Sequence, residues 1–165
     1  VRRVMDLPQP LVLDADGINA LAGHMDEWER RRGRVTVLTP HEGEFLRVGG
    51  NLSQGRTAAA EDFARRSGAV VVLKGPGTVV AGPDGRCRVN TTGNCGMAKG
   101  GSGDVLSGVV LALLGLGMDA FDACCCAVWL HGRAGDLAAQ EKGQWGMTPT
   151  DLLERLPQAL REVTE

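Results

Sequence analysis

Three glycines, Gly100, Gly101 and Gly103, stand just before an aspartate, Asp104, and an apolar run that opens at Val105. The pattern predicts a glycine-rich turn at the start of a helix. Glycine carries no Cβ, so neighbouring amide N–H groups can converge on one point, and the helix N-terminus adds unpaired donors and a positive dipole end. Such a point favours an anion, phosphate above all. A carboxylate in the first helical turn, where Asp104 falls, can accept a proton from a hydroxyl while the amides stabilise charge on a transferring phosphoryl group. Read on the glycines alone, a plain turn with a helix-capping acid accounts for the residues equally well. The segment is not a P-loop, because Lys99 precedes the glycines, and it does not match G-x-G-x-x-G.

Three more polar clusters follow apolar runs. Leu11-Val12-Leu13 leads into Asp14, Asp16 and Asn19; Val35 to Leu38 leads into Thr39-Pro40-His41-Glu42-Gly43-Glu44; and Ala69 to Leu73 leads into Lys74-Gly75-Pro76-Gly77-Thr78. The last run is apolar throughout, as a strand buried on both faces would be. Pro40 ends the second strand, and the polar residues after it belong at the carboxyl edge of a sheet. Asp14 and Asp16 can also be read as caps of the helix that follows, and Lys74 as an ordinary strand-end lysine. The Gly-Pro-Gly beside Lys74 favours a turn facing a nucleotide.

The elements that must carry these clusters alternate. After the first strand a helix runs to about Arg32 and stops at Gly33, with Arg30, Arg31, Arg32 and Arg34 as a solvated basic helix end. A helix over about 57–67 ends at Gly68. Residues 79–81 and 86–89 form a hairpin about Pro83-Asp84-Gly85. Helices follow over about 104–116 and 120–139, and a last one begins with Thr148 as N-cap, Pro149 in the first position and Asp151 closing a capping box, with Pro157 expected to kink it. Strand and helix in alternation give an α/β fold, a mostly parallel sheet flanked by helices. No repeat, low-complexity tract or linker divides residues 1–165, which read as a single domain.

The composition narrows the function. Eighteen Lys and Arg against 20 Asp and Glu, a net charge of -2, lack the cationic surplus on which nucleic-acid and membrane-surface binding rest. Three Phe, three Trp and no Tyr leave few base-stacking platforms. No apolar stretch is long enough to span a bilayer. Five cysteines, three of them consecutive at 124–126, form no zinc-ligand spacing and suit a reducing, cytoplasmic setting, the triplet serving as small core hydrophobes. His24 and His131 fall on helices and read as surface or packing residues, and Trp28, Trp129 and Trp145 as core or subunit-contact residues.

Residues 93–108, Gly-Asn-Cys-Gly-Met-Ala-Lys-Gly-Gly-Ser-Gly-Asp-Val-Leu-Ser-Gly, closely resemble the glycine signature of the ADP/ATP-dependent NAD(P)H-hydrate dehydratases, a branch of the ribokinase-like superfamily. Val12 to Asp16 with Asn19, Leu38 to Glu44, and Leu73 to Thr78 resemble three further motifs of that family, in the same order. The resemblance implies a ribokinase-like α/β fold and dehydration of NADHX and NADPHX with ADP or ATP as co-substrate and Mg2+ as cofactor. It implies Asp104 as the acid–base residue in contact with the hydrated nicotinamide, and Gly101 and Gly103 as the anion hole, Gly103 also touching the nucleotide phosphate. Lys74, Gly75, Pro76, Gly77 and Thr78 would line the adenine-nucleotide site. His41, Asp14, Asp16 and Asn19 would face the dinucleotide, and Glu44 would reach the magnesium through water. Related kinases carry Asn at the place of His41, and Lys99 and Cys95 depart from the commoner family residues. Family members also carry a sheet-forming segment with a glycine-rich turn ahead of the matched region, so the expectation is an N-terminally truncated domain with an unpaired sheet edge and association as a homo-oligomer. A small-molecule kinase of the superfamily and a catalytically inactive nucleotide-binding module are the competing readings.

Overall fold

The computed structural model describes residues 3–164. Its centre is a five-stranded sheet, β1 (Leu11–Leu13), β2 (Thr36–Leu38), β3 (Val70–Leu73), β4 (Val79–Ala81) and β5 (Cys87–Val89), ordered as in the sequence. β1, β2 and β3 are mutually parallel, and β4 and β5 complete the sheet as an antiparallel hairpin. The α/β reading holds, with a mostly parallel sheet whose parallel half carries the polar strand ends.

Successive side chains on a strand point to opposite faces, so each apolar strand feeds two cores. Leu13, Leu38, Val71, Leu73, Val79 and Ala81 face Trp28, Phe45 and Phe63. Val37, Val70, Val72 and Val80 face Leu106, Val110 and Leu114 of α5 (Ser102–Gly115) and Phe121, Ala127 and Val128 of α6 (Ala120–Gly146). The first layer comprises α1 (Ala15–Asn19), α2 (Met25–Glu29), α3 (Glu42–Arg47) and α4 (Arg56–Ser67). The last helix, α7 (Pro149–Thr164), packs on α6. Gly68 ends α4 in the left-handed region at φ 72°, as expected of a helix-terminating glycine.

Four local expectations are corrected. The single helix read up to Arg32 is two short ones, because Gly23 turns the chain at φ 76° between them. The basic cluster is not uniformly solvated: Arg31 is 2% exposed and donates to Thr36 Oγ1 and to the carbonyls of Leu7, Gln9 and Val35, so its guanidinium ties the chain ahead of β1 to β2. α6 continues past Ala139 and breaks at Gly143, whose backbone is non-helical. α7 passes through Pro157 as one helix, its start fixed by Asp151, which accepts from the Thr148 amide at 2.7 Å and hydroxyl at 2.8 Å.

The five cysteines are free thiols. Cys124 lies in the core, and burial pushes the thiols of the triplet up, that of Cys125 to about 11, so they pack rather than react.

Candidate active site

The carboxyl ends of the three parallel strands meet the N-terminus of α5. Lys74 follows β3 directly, and its Nζ lies 2.7 Å from Asp14 Oδ1, just past β1, and 4.0 Å from Glu44 Oε2, beyond β2. Asp14 Oδ1 also accepts from the Ala15 amide at 2.9 Å, and Oδ2 from Ser107 Oγ of α5 at 3.2 Å. Burial alone would push this carboxyl up. The hydrogen bond and charge of Lys74, with Ala15 and Thr39, outweigh it and hold Asp14 below the usual carboxylate range. Ala15 pays for this arrangement with a positive φ of 46°, in a region non-glycine residues avoid.

His41 and Glu44 build the start of α3 between them. His41 Nδ1 accepts from the Gly43 and Glu44 amides at 3.0 and 3.3 Å, and Glu44 Oε2 accepts from the His41 amide at 2.8 Å. This is a capping box with histidine where Ser or Thr usually stands. Nδ1 as acceptor leaves the proton on Nε2, 3.4 Å from Glu44 Oε1. A backbone bridge then joins His41 to Lys74.

Above this edge lies a cavity of about 770 Å3. One wall is His41 and the turn Lys74-Gly75-Pro76-Gly77-Thr78; another is the segment from Asn90 to Lys99; Ser102, Gly103, Val128 and His131 complete it. The turn is held by Arg56 of α4, which donates to the Leu73 carbonyl at 2.9 Å and to that of Pro76. A Cβ on Gly75 would fall 2.6 Å from Arg56 Nη2, so a side chain there would displace the clamp.

The first turn of α5 supplies the donors. The Ser102 amide bonds to the Lys99 carbonyl and that of Val105 to Gly101, whereas those of Gly103 and Asp104 have no acceptor among the described residues. Gly103 lines the cavity, and a Cβ on it would lie 3.2 Å from Asp14 Oδ2 and 3.4 Å from Lys74 Nζ. Gly101 does not line it. At φ 96° it turns the chain into the helix and packs against Pro149. Asp104 is exposed, without an ion pair or side-chain hydrogen bond among the described residues, one residue beyond the cavity wall.

The structure thus brings together His41, Glu44, Lys74 to Thr78, Gly103 and Asp14. Asp16 and Asn19 stand apart on α1, where Asn19 accepts from Arg47 of α3 at 2.6 Å and donates to Asp16 at 3.4 Å. Lys99 reaches the last carbonyls of α6, at Gln144, Trp145 and Met147, and Cys95 Sγ sits 2.7 Å from Gln144 Oε1. Both residues secure the glycine-rich segment to α6, where a cation also complements the helix's negative end. Sequence reasoning missed Ser107, Arg56, Asn90 to Thr92 and His131. For His131 the available signal was a polar residue within an otherwise small and apolar stretch of α6.

The residues also bear on a metal. Among the described residues no cluster of three His, Cys, Asp or Glu could cage an ion. Mg2+ keeps water and phosphate oxygens as most of its ligands and asks one or two carboxylates of the protein. Glu44 and Asp14 meet that demand if the ion arrives on a nucleotide.

This α/β domain, with free helix-N-terminal amides and a lysine at the sheet's carboxyl edge, belongs to the ribokinase-like fold class. Residues 1–158 match the family model described as NAD(P)H-hydrate dehydratase, and the chain belongs to that family. The bifunctional NAD(P)H-hydrate repair enzyme Nnr of Thermofilum pendens is 46% identical over 173 residues, covering 100% of this chain and 33% of its own. The ADP-dependent (S)-NAD(P)H-hydrate dehydratase of Bacillus subtilis is 39% identical over 161 residues, covering 95% of this chain and 56% of its own. A crystal structure of ADP/ATP-dependent NAD(P)H-hydrate dehydratase from Bacillus subtilis, co-crystallized with ATP/Mg2+, superposes with a TM-score of 0.81 at 34% identity, over 96% of this chain and 57% of that one. The chain therefore spans about a third of the bifunctional relative and about half of the single-activity ones.

Proposed function

We propose that the chain catalyses the ADP- or ATP-dependent dehydration of NADHX and NADPHX, restoring NADH and NADPH. The observation that carries this reading is one cavity in which Gly103, with its unpaired amide, faces the Lys74–Thr78 turn and His41. The family and its relatives support the same chemistry. Hydroxide is a poor leaving group. The ring hydroxyl therefore attacks the terminal phosphoryl group, and the hydroxyl proton passes to Asp104 while AMP or ADP leaves. The ring C–O bond, now that of a phosphate ester, then breaks, phosphate departs with the bonding pair, and loss of a proton from the neighbouring ring carbon restores the conjugated dihydronicotinamide.

In this reading the amides of Gly103 and Asp104 take the transferring phosphoryl oxygens. Lys74 neutralises phosphate charge on leaving its pairing with Asp14, the 75–78 turn borders the nucleotide, and His41 presents its half-exposed ring to the dinucleotide. Gly101 shapes the entrance to the anion site, while Asp14, Asp16 and Asn19 act on the substrate side chiefly by holding Lys74 and α3. Mg2+ bound to the nucleotide would neutralise its phosphate oxygens, with Glu44 reaching the ion's water shell. We further propose a cytoplasmic enzyme that works as a homo-oligomer; the exposed Leu116 and Trp145, at 80% and 98%, favour association, and no described helix is long and apolar enough to cross a membrane.

Parallel incubations test this. With hydrated NADH and ADP the expected result is regained dihydronicotinamide absorbance with AMP and phosphate released in equal amounts. Conversion of a small alcohol to a stable phosphate ester, without that recovery, would make the chain a kinase instead.

A further inference from the structure

His131 is a titratable group in the cavity wall for which the functional reading has no task. It projects from α6, is 9% exposed, and its Nε2 lies 2.9 Å from the Ser102 carbonyl oxygen. A carbonyl only accepts, so Nε2 carries the proton and donates. Ser102 opens α5, and its carbonyl belongs to the same peptide unit as the Gly103 amide. The described chain contains no cis peptide, and in a planar trans unit the C=O and N–H point to opposite sides. Fixing the Ser102 carbonyl therefore fixes the direction of the Gly103 N–H. Donation to that carbonyl also polarises the unit and sharpens its N–H as a donor.

Two observations show that the contact is built rather than incidental. Burial, with the charge of Lys74 acting the same way, keeps the ring neutral down to about pH 4, so the proton on Nε2 is the only one it carries under ordinary conditions. Beside it Ser102 is 6% exposed and its hydroxyl has no hydrogen-bond partner among the described residues, so the polar side-chain tether to this residue is the His131 bond. α6 is itself seated closely here: a Cβ on Gly132 would meet Thr92 Oγ1 at 2.2 Å.

We propose that His131 is a positioning residue for the phosphate-receiving turn, aiming the Gly103 amide into the cavity through its hydrogen bond to the Ser102 carbonyl. The proposal rests on reading the cavity as an adenine-nucleotide site, but its test needs no turnover. Wild type, His131→Gln and His131→Leu are titrated calorimetrically with ATP and with adenosine. Glutamine keeps a donor near the place of Nε2; leucine fills the space without one. The expected result is about a tenfold loss of ATP affinity in the leucine variant and less than about threefold in the glutamine variant. Adenosine binding should stay within about twofold in both, and the Gly103 amide proton resonance should move in the leucine variant alone. Equal losses for ATP and adenosine, or equal losses in the two variants, would overturn the proposal and leave a packing residue. If the leucine variant does not fold, His131→Asn, whose shorter donor falls short of the carbonyl, takes its place with the same expectations. A wild type that binds ATP but never repairs hydrated NADH defeats the functional reading and leaves this one standing; a wild type that binds no ATP defeats both.

Discussion

At the scale of single residues the site is a charge arrangement centred on Lys74. Its ammonium lies between Asp14 and Glu44 and beside Gly103, close enough that a methyl on that glycine would touch it. Lys74→Met should therefore have two effects. ATP affinity should fall about 10- to 100-fold by calorimetry, the usual span for a lost charge-assisted hydrogen bond. The Asp14 carboxyl, relieved of its partner but still partly buried, should titrate above the ordinary aspartate range by NMR instead of below it. Lys74, Asp14 and Glu44 were legible in the sequence because each follows an apolar strand run at the same sheet edge. Their mutual pairing was not, since residues 14, 44 and 74 meet only once three strands are in register. Asp16 and Asn19 show the reverse: they share a motif with Asp14, yet they sit on the helix beyond it, where Asn19 accepts from Arg47 and donates to Asp16.

At the scale of elements the glycine-rich segment works because α6 holds it along much of its length. Asp136 accepts from the Gly93 amide and the Asn94 side chain at 3.0 Å each, Asn90 and Thr92 donate to the Val128 and Trp129 carbonyls, and Lys99 closes the far end. Gly132 is where the two backbones touch. Gly132→Ala should cost about 1–3 kcal/mol in chemical denaturation and loosen the cavity wall, because the clash is with backbone as well as with Thr92 Oγ1. An unchanged midpoint would show that the segment shifts freely. The strands, the hairpin, α4 and the starts of α5 and α7 were readable from periodicity, glycine stops and caps. α3 was hidden for a physical reason: it has six residues, follows Pro40, and is capped by an imidazole rather than a hydroxyl or carboxylate. The His41-to-Glu44 spacing was its one local sign. The buried Arg31 was hidden too, because a run of arginines looks solvated until five acceptors surround one of them.

At the scale of the whole molecule, titration links the site to stability. His131 is held at about 4, below its ordinary 6.5, so the unfolded chain binds a proton between those values and the folded chain does not. The stability conferred by its neutral burial is complete above pH 6.5 and is lost as pH falls toward 4, on the order of 3 kcal/mol in all. Asp151, held at about 2 by Lys142 and Thr148, and Asp14 add a second loss below the ordinary carboxylate value of 3.8. Denaturation followed from pH 7 to 4.5 should show a falling midpoint in wild type and a much flatter one in His131→Gln. A flat wild-type profile would place the imidazole in solvent.

In the proposed reaction the start of α5 receives a phosphoryl group while the carboxylate beside it activates the substrate hydroxyl. Single-turnover mixing of hydrated NADH and ADP with wild type and with Asp104→Asn, nucleotide affinity being measured on the same samples, tests it most directly. The variant should regain absorbance about 10²–10⁴-fold more slowly while holding ADP within a few-fold of wild type. Equal rates in the two proteins, or slowing matched by an equal loss of ADP affinity, would contradict it.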